Sequence, residues 1–169
     1  MTEKVVIVDK RNIALGTCDK ITAHQCCTLH RAFSVFLFDS TGRWLLQKRS
    51  EGKYHSGGLW SNTCCGHPGD LQSIRQSALE RLTHEMGVDC SLDEAFAFMY
   101  KCEFDNGMWE NEFDHVFIGT HDGLPDPNPE EVDDWVWETE DQVELWLQKD
   151  PEAFTYWFRC LFKRLKAQS

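Results

Sequence analysis

A chain of 169 residues can bury one substantial hydrophobic core but is short for two, so a single domain over residues 1–169 is expected. Apolar residues make up 41% and charged residues 27%, with seven Trp and eleven Phe, which excludes global disorder. The formal charge of −11 disfavours nucleic acid and anionic membrane, which call for clustered Lys and Arg, but leaves open a small phosphorylated ligand held by a few converging cations.

Met1-Thr2-Glu3-Lys4 lacks the basic segment and apolar run of a signal peptide, and nothing later reaches the roughly 18 apolar residues of a membrane span, so a cytoplasmic protein is expected. Val5 to Val8 reads as a β-branched strand and Asn12 to Gly16 as the turn after it. Ala32 to Phe38 is apolar enough to be a strand buried on both faces. The turn Asp39 to Gly42 then returns the chain along Arg43 to Lys48, predicting a hairpin. Gly57-Gly58, Gly66 and Pro68-Gly69 leave Cys65 and His67 in a loop or short bent strand.

From Asp70, a plausible N-cap, Leu71, Ile74, Ala78, Leu82 and Met86 recur at helical spacing until Gly87 stops the helix after about four turns. Phe96 to Phe104 and Glu112 to Ile118 read as strands. If the second begins early enough, Glu110, Glu112, Asp114, Val116 and Ile118 share one face. Asp122 to Pro129 is a loop and Val132 to Trp137 a strand. One helix follows Thr139 and another follows Asp150-Pro151, with Phe154, Trp157, Phe158, Leu161, Phe162 and Leu165 on a single stripe. The pattern predicts a mixed α/β or α+β fold with helices covering a sheet.

His24, His30, His67, Glu110 and Glu112 could together hold a divalent ion such as Zn²⁺, Mn²⁺ or Mg²⁺. Spacing alone leaves surface or structural roles open for the histidines. Two same-face glutamates repel unless a cation or proton compensates, although a solvated strand edge would also tolerate them. The eight Cys contain no Cys-x-x-Cys and read mostly as buried reduced thiols. Cys65 stands apart because Gly66 and His67 beside it could let the loop present a thiol to a ligand; Cys64 is the rival for that role.

The segment from Gly66 to Val88 resembles an eroded Nudix box. Gly66, Leu82, Glu85, Gly87 and Val88 fit, while Gln72, Glu80, Arg81 and His84 stand where the box has Glu, Arg, Glu and Glu, a pattern suited to holding a diphosphate rather than cleaving it. More specifically, nearly the whole chain resembles the type 1 isopentenyl-diphosphate isomerases. The resemblance is carried by Lys20-x3-His24, Leu29-His30-Arg31-Ala32-Phe33-Ser34, Gln47-Lys48-Arg49, Leu59-Trp60-Ser61-Asn62 leading to Cys65-Gly66-His67-Pro68, Glu85-Met86-Gly87-Val88, Glu110-Asn111-Glu112 and Trp157.

This resemblance implies a Nudix-like sandwich of mixed sheet and helices. It also implies that Cys65 and Glu112 are the catalytic pair on opposite faces of a prenyl diphosphate. One divalent ion, Mn²⁺, Zn²⁺ or Mg²⁺, would be held by His24, His30, His67, Glu110 and Glu112. Glu85 and the backbone carbonyl of Cys65 would help hold a Mg²⁺ that grips the diphosphate. Lys20, Arg49, Lys53 and Arg81 would contact the diphosphate or its surroundings, Tyr100 would bond near Glu112, and Trp157 would lie over the hydrocarbon, with plain core packing as its alternative. The implied enzyme moves a double bond by a 1,3-proton shift, as a monomer or homodimer. A Nudix-type hydrolase and a non-catalytic prenyl-diphosphate binder are the competing readings.

Overall fold

In the computed structural model, which describes residues 3–69 and 72–167, the apolar run read as a buried strand is the hub of the sheet. That strand, β3 (His30–Phe38), follows β1 (Lys4–Val8), β2 (Ala14–Asp19) and helix α1 (Lys20–Gln25). After it come β4 (Trp44–Arg49), β5 (Trp60–Ser61), β6 (Cys64–Gly66), α2 (Ile74–Met86), β7 (Asp93–Glu103), β8 (Trp109–Thr120), β9 (Val132–Glu138), α3 (Glu140–Lys149) and α4 (Tyr156–Lys166). Along its length β3 pairs antiparallel with β1, β4 and β6 and parallel with β8, from His30 opposite Glu112 to Phe38 opposite Thr120.

Period-two alternation along β3 explains its composition, because each face feeds a different core. Phe33, Val35 and Leu37 pack with Leu82 and Met86 of α2, whereas Phe36 packs with Phe158, Leu161 and Phe162 of α4. The mixed sheet is thus covered by helices on both faces, as expected. Cys64 falls on the α2 face and Cys65 on the α4 face.

Four local expectations are corrected. Asn12 does turn, with φ of 63°, but residues expected to complete that turn already form β2, and α1 follows where no helix was foreseen. The hairpin is nominal: β3 and β4 meet at Phe38 and Trp44, and the long partner of β4 is β9. Helix α2 begins at Ile74 with Ser73 as its cap, accepting from the Gln76 amide; the expected cap Asp70 and first apolar position Leu71 lie outside the described residues. Strand β7 starts at Asp93, earlier than its apolar run suggested. The predicted stop holds, since Gly87 is left-handed at φ of 64° and donates to the Thr83 carbonyl.

Candidate active site

Strand β8 begins at Trp109, early enough that Glu110, Glu112 and Asp114 alternate onto the face that carries Val116 and α4. All three are nearly inaccessible, at 3%, 6% and 1% exposure, so a solvated edge is ruled out. Three histidines converge on them from separate elements: His24 from the end of α1, His30 from the first position of β3, and His67 just beyond β6.

Ligand atoms of His24, His30, His67 and Glu112 lie within 4.8 Å of one another, and His24, His55 and Glu110 form a second such group, so His24 joins the two. The Nδ1 atoms of His24 and His30 sit 2.7 Å from the Trp109 carbonyl and 2.8 Å from the Thr28 carbonyl. Donation to those carbonyls places the Nε2 lone pairs toward the cluster, the orientation a metal-binding imidazole needs. His67 Nε2 is 3.0 Å from Glu112 Oε1, and Tyr100 donates to Glu112 Oε2 at 2.6 Å.

Burial and neighbouring imidazoles push His24 down to about 4, and burial lowers His67, so both rings are neutral near pH 7. Burial and the adjacent Glu112 charge raise Glu110 well above the usual carboxylate range; for Glu112 burial is outweighed by the neighbouring His30 and His67 imidazoles, 3.5 and 3.0 Å from its Oε1, which hold it low. His30 Nε2, His55 Nε2 and Glu110 Oε2 are buried without a hydrogen-bond partner among the described residues. Neutral nitrogen donors, buried carboxylates and orphaned ligand atoms together fit a divalent ion.

Cys65 lies in a different network on the same face. Its Sγ lies 3.2 Å from Asn62 Nδ2 and 3.3 Å from Asn62 Oδ1, and Asn62 Oδ1 accepts from Trp157 Nε1 at 3.2 Å. Ser34 Oγ is 3.7 Å from the sulfur and donates to Asp114 Oδ2 at 2.8 Å. Burial, with the Asp114 carboxyl nearby, pushes the Cys65 thiol up to about 12. Cys64 is fully buried in the α2 core, on the opposite face of β6 from Cys65.

One cavity of about 330 Å³ is lined by Cys65, Glu110, Glu112 and Trp157, and also by cations. Lys20, Arg49, Lys53 and Arg81 all reach it. Glu85 lines the same wall, accepting from Arg81 Nε at 2.7 Å and from Gln47 Nε2 at 2.7 Å. Burial lowers Lys53 to about 8 against the opposing pull of Glu85, and its ammonium also pairs with Glu131. Trp157 packs in the α4 core and also lines the cavity, where the Arg49 guanidinium lies 5.2 Å from its ring centroid.

Sequence reasoning missed His55, whose Nε2 is 2.8 Å from Glu110 Oε1 and whose ring stacks on Phe104 at 4.9 Å. It sits in an irregular Gly-rich loop, beside Ser56 at φ of 52°, and no periodicity points to it. Ser34 and Asp114 were also unassigned, although Asp114 shares the glutamates' alternation.

A NUDIX domain model matches residues 28–158. The chain is 47% identical over 165 residues to isopentenyl-diphosphate Delta-isomerase 2 of Aromatoleum aromaticum, covering 98% of this chain and 87% of that one. It is 44% identical to isopentenyl-diphosphate Delta-isomerase of Burkholderia multivorans, covering 97% and 93%. Among solved structures, a protein of Deinococcus radiodurans superposes with a TM-score of 0.77 at 18% identity, covering 96% and 98%. The MutT protein of Methanosarcina mazei superposes with a TM-score of 0.67 at 17% identity, covering 83% and 94%. At those identities the two structures speak to the fold alone.

Proposed function

The chain belongs to the NUDIX-domain family and, within it, to the isopentenyl-diphosphate Delta-isomerases, and on that footing we propose that it interconverts isopentenyl and dimethylallyl diphosphate with Cys65 and Glu112 as its proton-transfer pair. The observation that carries this reading is the single cavity holding a thiol, a His/Glu cluster and four cationic side chains. A hydrocarbon with an anionic tail matches that division.

The reaction adds a proton to the terminal alkene carbon and removes one from the carbon nearer the diphosphate. One member of the pair delivers the proton, the other accepts it, and the reverse direction exchanges the roles. An unactivated alkene is a weak base, so the acid must be closely placed in a site that excludes water. Asn62 and Ser34 fix the thiol; Tyr100 and His67 fix the carboxylate. The Trp157 face stabilises the tertiary cation, by roughly 2 kcal/mol for a desolvated cation–π contact. Lys20, Arg49, Lys53 and Arg81 hold the diphosphate, and Glu85 with the Cys65 carbonyl holds a Mg²⁺ that accompanies it. His24, His30, His67, Glu110 and Glu112 hold a second divalent ion, Mn²⁺, Zn²⁺ or Mg²⁺, which when bound supplies positive charge that keeps the two glutamates ionised side by side.

Incubation with isopentenyl diphosphate and Mg²⁺ in D₂O tests this reading. Deuterated dimethylallyl diphosphate is expected. Release of phosphate would instead indicate hydrolysis, and binding without deuterium uptake a non-catalytic module.

A further inference from the structure

We propose that Ser34 and Asp114 are positioning residues for Cys65, with Asp114 orienting the Ser34 hydroxyl so that its oxygen accepts the thiol hydrogen. The inference rests on the reading of Cys65 as a proton-transfer group. In the parallel β3–β8 ladder Asp114 faces Ala32 and Ser34 faces Val116, so the Ser34–Asp114 hydrogen bond runs diagonally across the ladder on the face that also carries Glu112, while Ser34 is the ladder partner of Cys65 on β6. Three adjacent strands thus bring one carboxyl, one hydroxyl and one thiol together on the face that meets the cavity wall.

Donor direction carries the argument. Ser34 has a single hydroxyl hydrogen, and it is committed to Asp114 Oδ2 at 2.8 Å, so toward Cys65 the hydroxyl can only accept. The sulfur is 3.7 Å away and also lies 3.2 Å from Asn62 Nδ2, whose two hydrogens serve the Val35 and Cys64 carbonyls at 3.0 and 2.8 Å; the thiol's own hydrogen can point at Ser34 Oγ or Asn62 Oδ1. Asn62 Oδ1 is crowded by donors from Ser61 at 2.9 Å and Trp157 at 3.2 Å, which leaves Ser34 as the less contested acceptor. Asp114 is 1% exposed, and its second oxygen has no hydrogen-bond partner among the described residues. A carboxyl buried at that cost with one bond to Ser34 is explained by holding the hydroxyl in place.

The test compares Ser34→Ala, Asp114→Asn, Asp114→Val and the Ser34→Ala/Asp114→Val double variant. Ser34→Ala should lower kcat roughly five- to tenfold, as expected for one lost hydrogen bond, with KM within twofold of wild type. Asp114→Asn keeps an acceptor for Ser34 and should retain most of kcat. Asp114→Val should fall as Ser34→Ala does, and the double variant no further. Multiplying losses, or a Ser34→Ala kcat within twofold of wild type, would overturn the proposal, and the Ser34→Ala arm decides it alone should Asp114→Val fail to fold. Alkylation of Cys65 by iodoacetamide without substrate gives an independent readout, expected to speed up severalfold in Ser34→Ala, and an unchanged rate counts against the proposal. If wild type fails to isomerise while the alkylation rates still differ, the functional reading falls and the hydrogen-bond bridge stands.

Discussion

At the residue scale, the adjacent thiols are separated by the pleat of β6. Cys64 fills the core beneath α2 and Cys65 lines the cavity, so Cys65→Ala and Glu112→Gln should each lower kcat by about 10²- to 10⁴-fold, the range for a lost acid or base. Cys64→Ala should keep most activity at a stability cost of about 1 kcal/mol for its small cavity. Steady-state kinetics and urea unfolding of the three purified variants check both halves. Lys53 supplies a pH test. Its ammonium titrates near 8 in the free protein because burial disfavours the charge, so raising the pH through 8 removes a diphosphate contact and KM should rise. In Lys53→Arg, which stays charged, the rise should disappear from a KM profile between pH 7 and 9. The thiol, glutamates and cations that line the cavity could be named from sequence because motif order identifies residue types; His55 could not, since its place beside Glu110 comes from an irregular loop folding over the cluster.

At the element scale, two glycines separate stability from catalysis. A Cβ on Gly87 would lie 2.4 Å from the Asp126 carbonyl oxygen in a backbone of φ 64°, so Gly87→Ala should cost about 1–3 kcal/mol, with a smaller loss of kcat than at Gly66, because Gly87 itself does not line the cavity although Glu85 two residues before it does. A Cβ on Gly66 would lie 2.7 Å from Cζ of the buried Phe33, and the three-residue strand that must move also carries Cys65. Gly66→Ala should therefore lose kcat as well as stability, and parallel thermal melts and turnover assays distinguish the two variants. Elements with strong periodicity or a stop signal were legible in the chain: β3, the body of α2 to Gly87, and α4. Helix α1 was not, because six residues with only Ala23 and His24 buried are too short to show an apolar stripe. The β4–β9 ladder was not legible either, since nothing local in β4 distinguishes its nearest neighbour in sequence from a distant partner.

At the scale of the whole molecule, the cluster of imidazoles and glutamates ties together α1, β3, β8 and the segment after β6, so occupying it should stabilise the entire domain. Addition of Mn²⁺ at a hundredfold excess over its Kd should raise the unfolding midpoint by roughly 5–10 °C, from about 2.7 kcal/mol of linkage in a domain this size, and a chelator should reverse it. Burial and Glu112 raise Glu110 well above the usual carboxylate range in the metal-free protein, so metal binding should favour proton release and affinity should fall as pH drops. Calorimetry in two buffers of different ionisation enthalpy measures that proton. Among the described residues no helix is long and apolar enough to cross a membrane. The parallel pairing of His30 with Glu112, and the diagonal Ser34–Asp114 hydrogen bond across the same ladder, have a further consequence for how such a chain can diverge. Because side chains alternate along both strands, inserting or deleting one residue in either would turn its functional groups toward the opposite core. Length variation among working descendants should therefore concentrate in the connections, such as residues 121–131, and leave these two strands uninterrupted even where most of their side chains have been replaced.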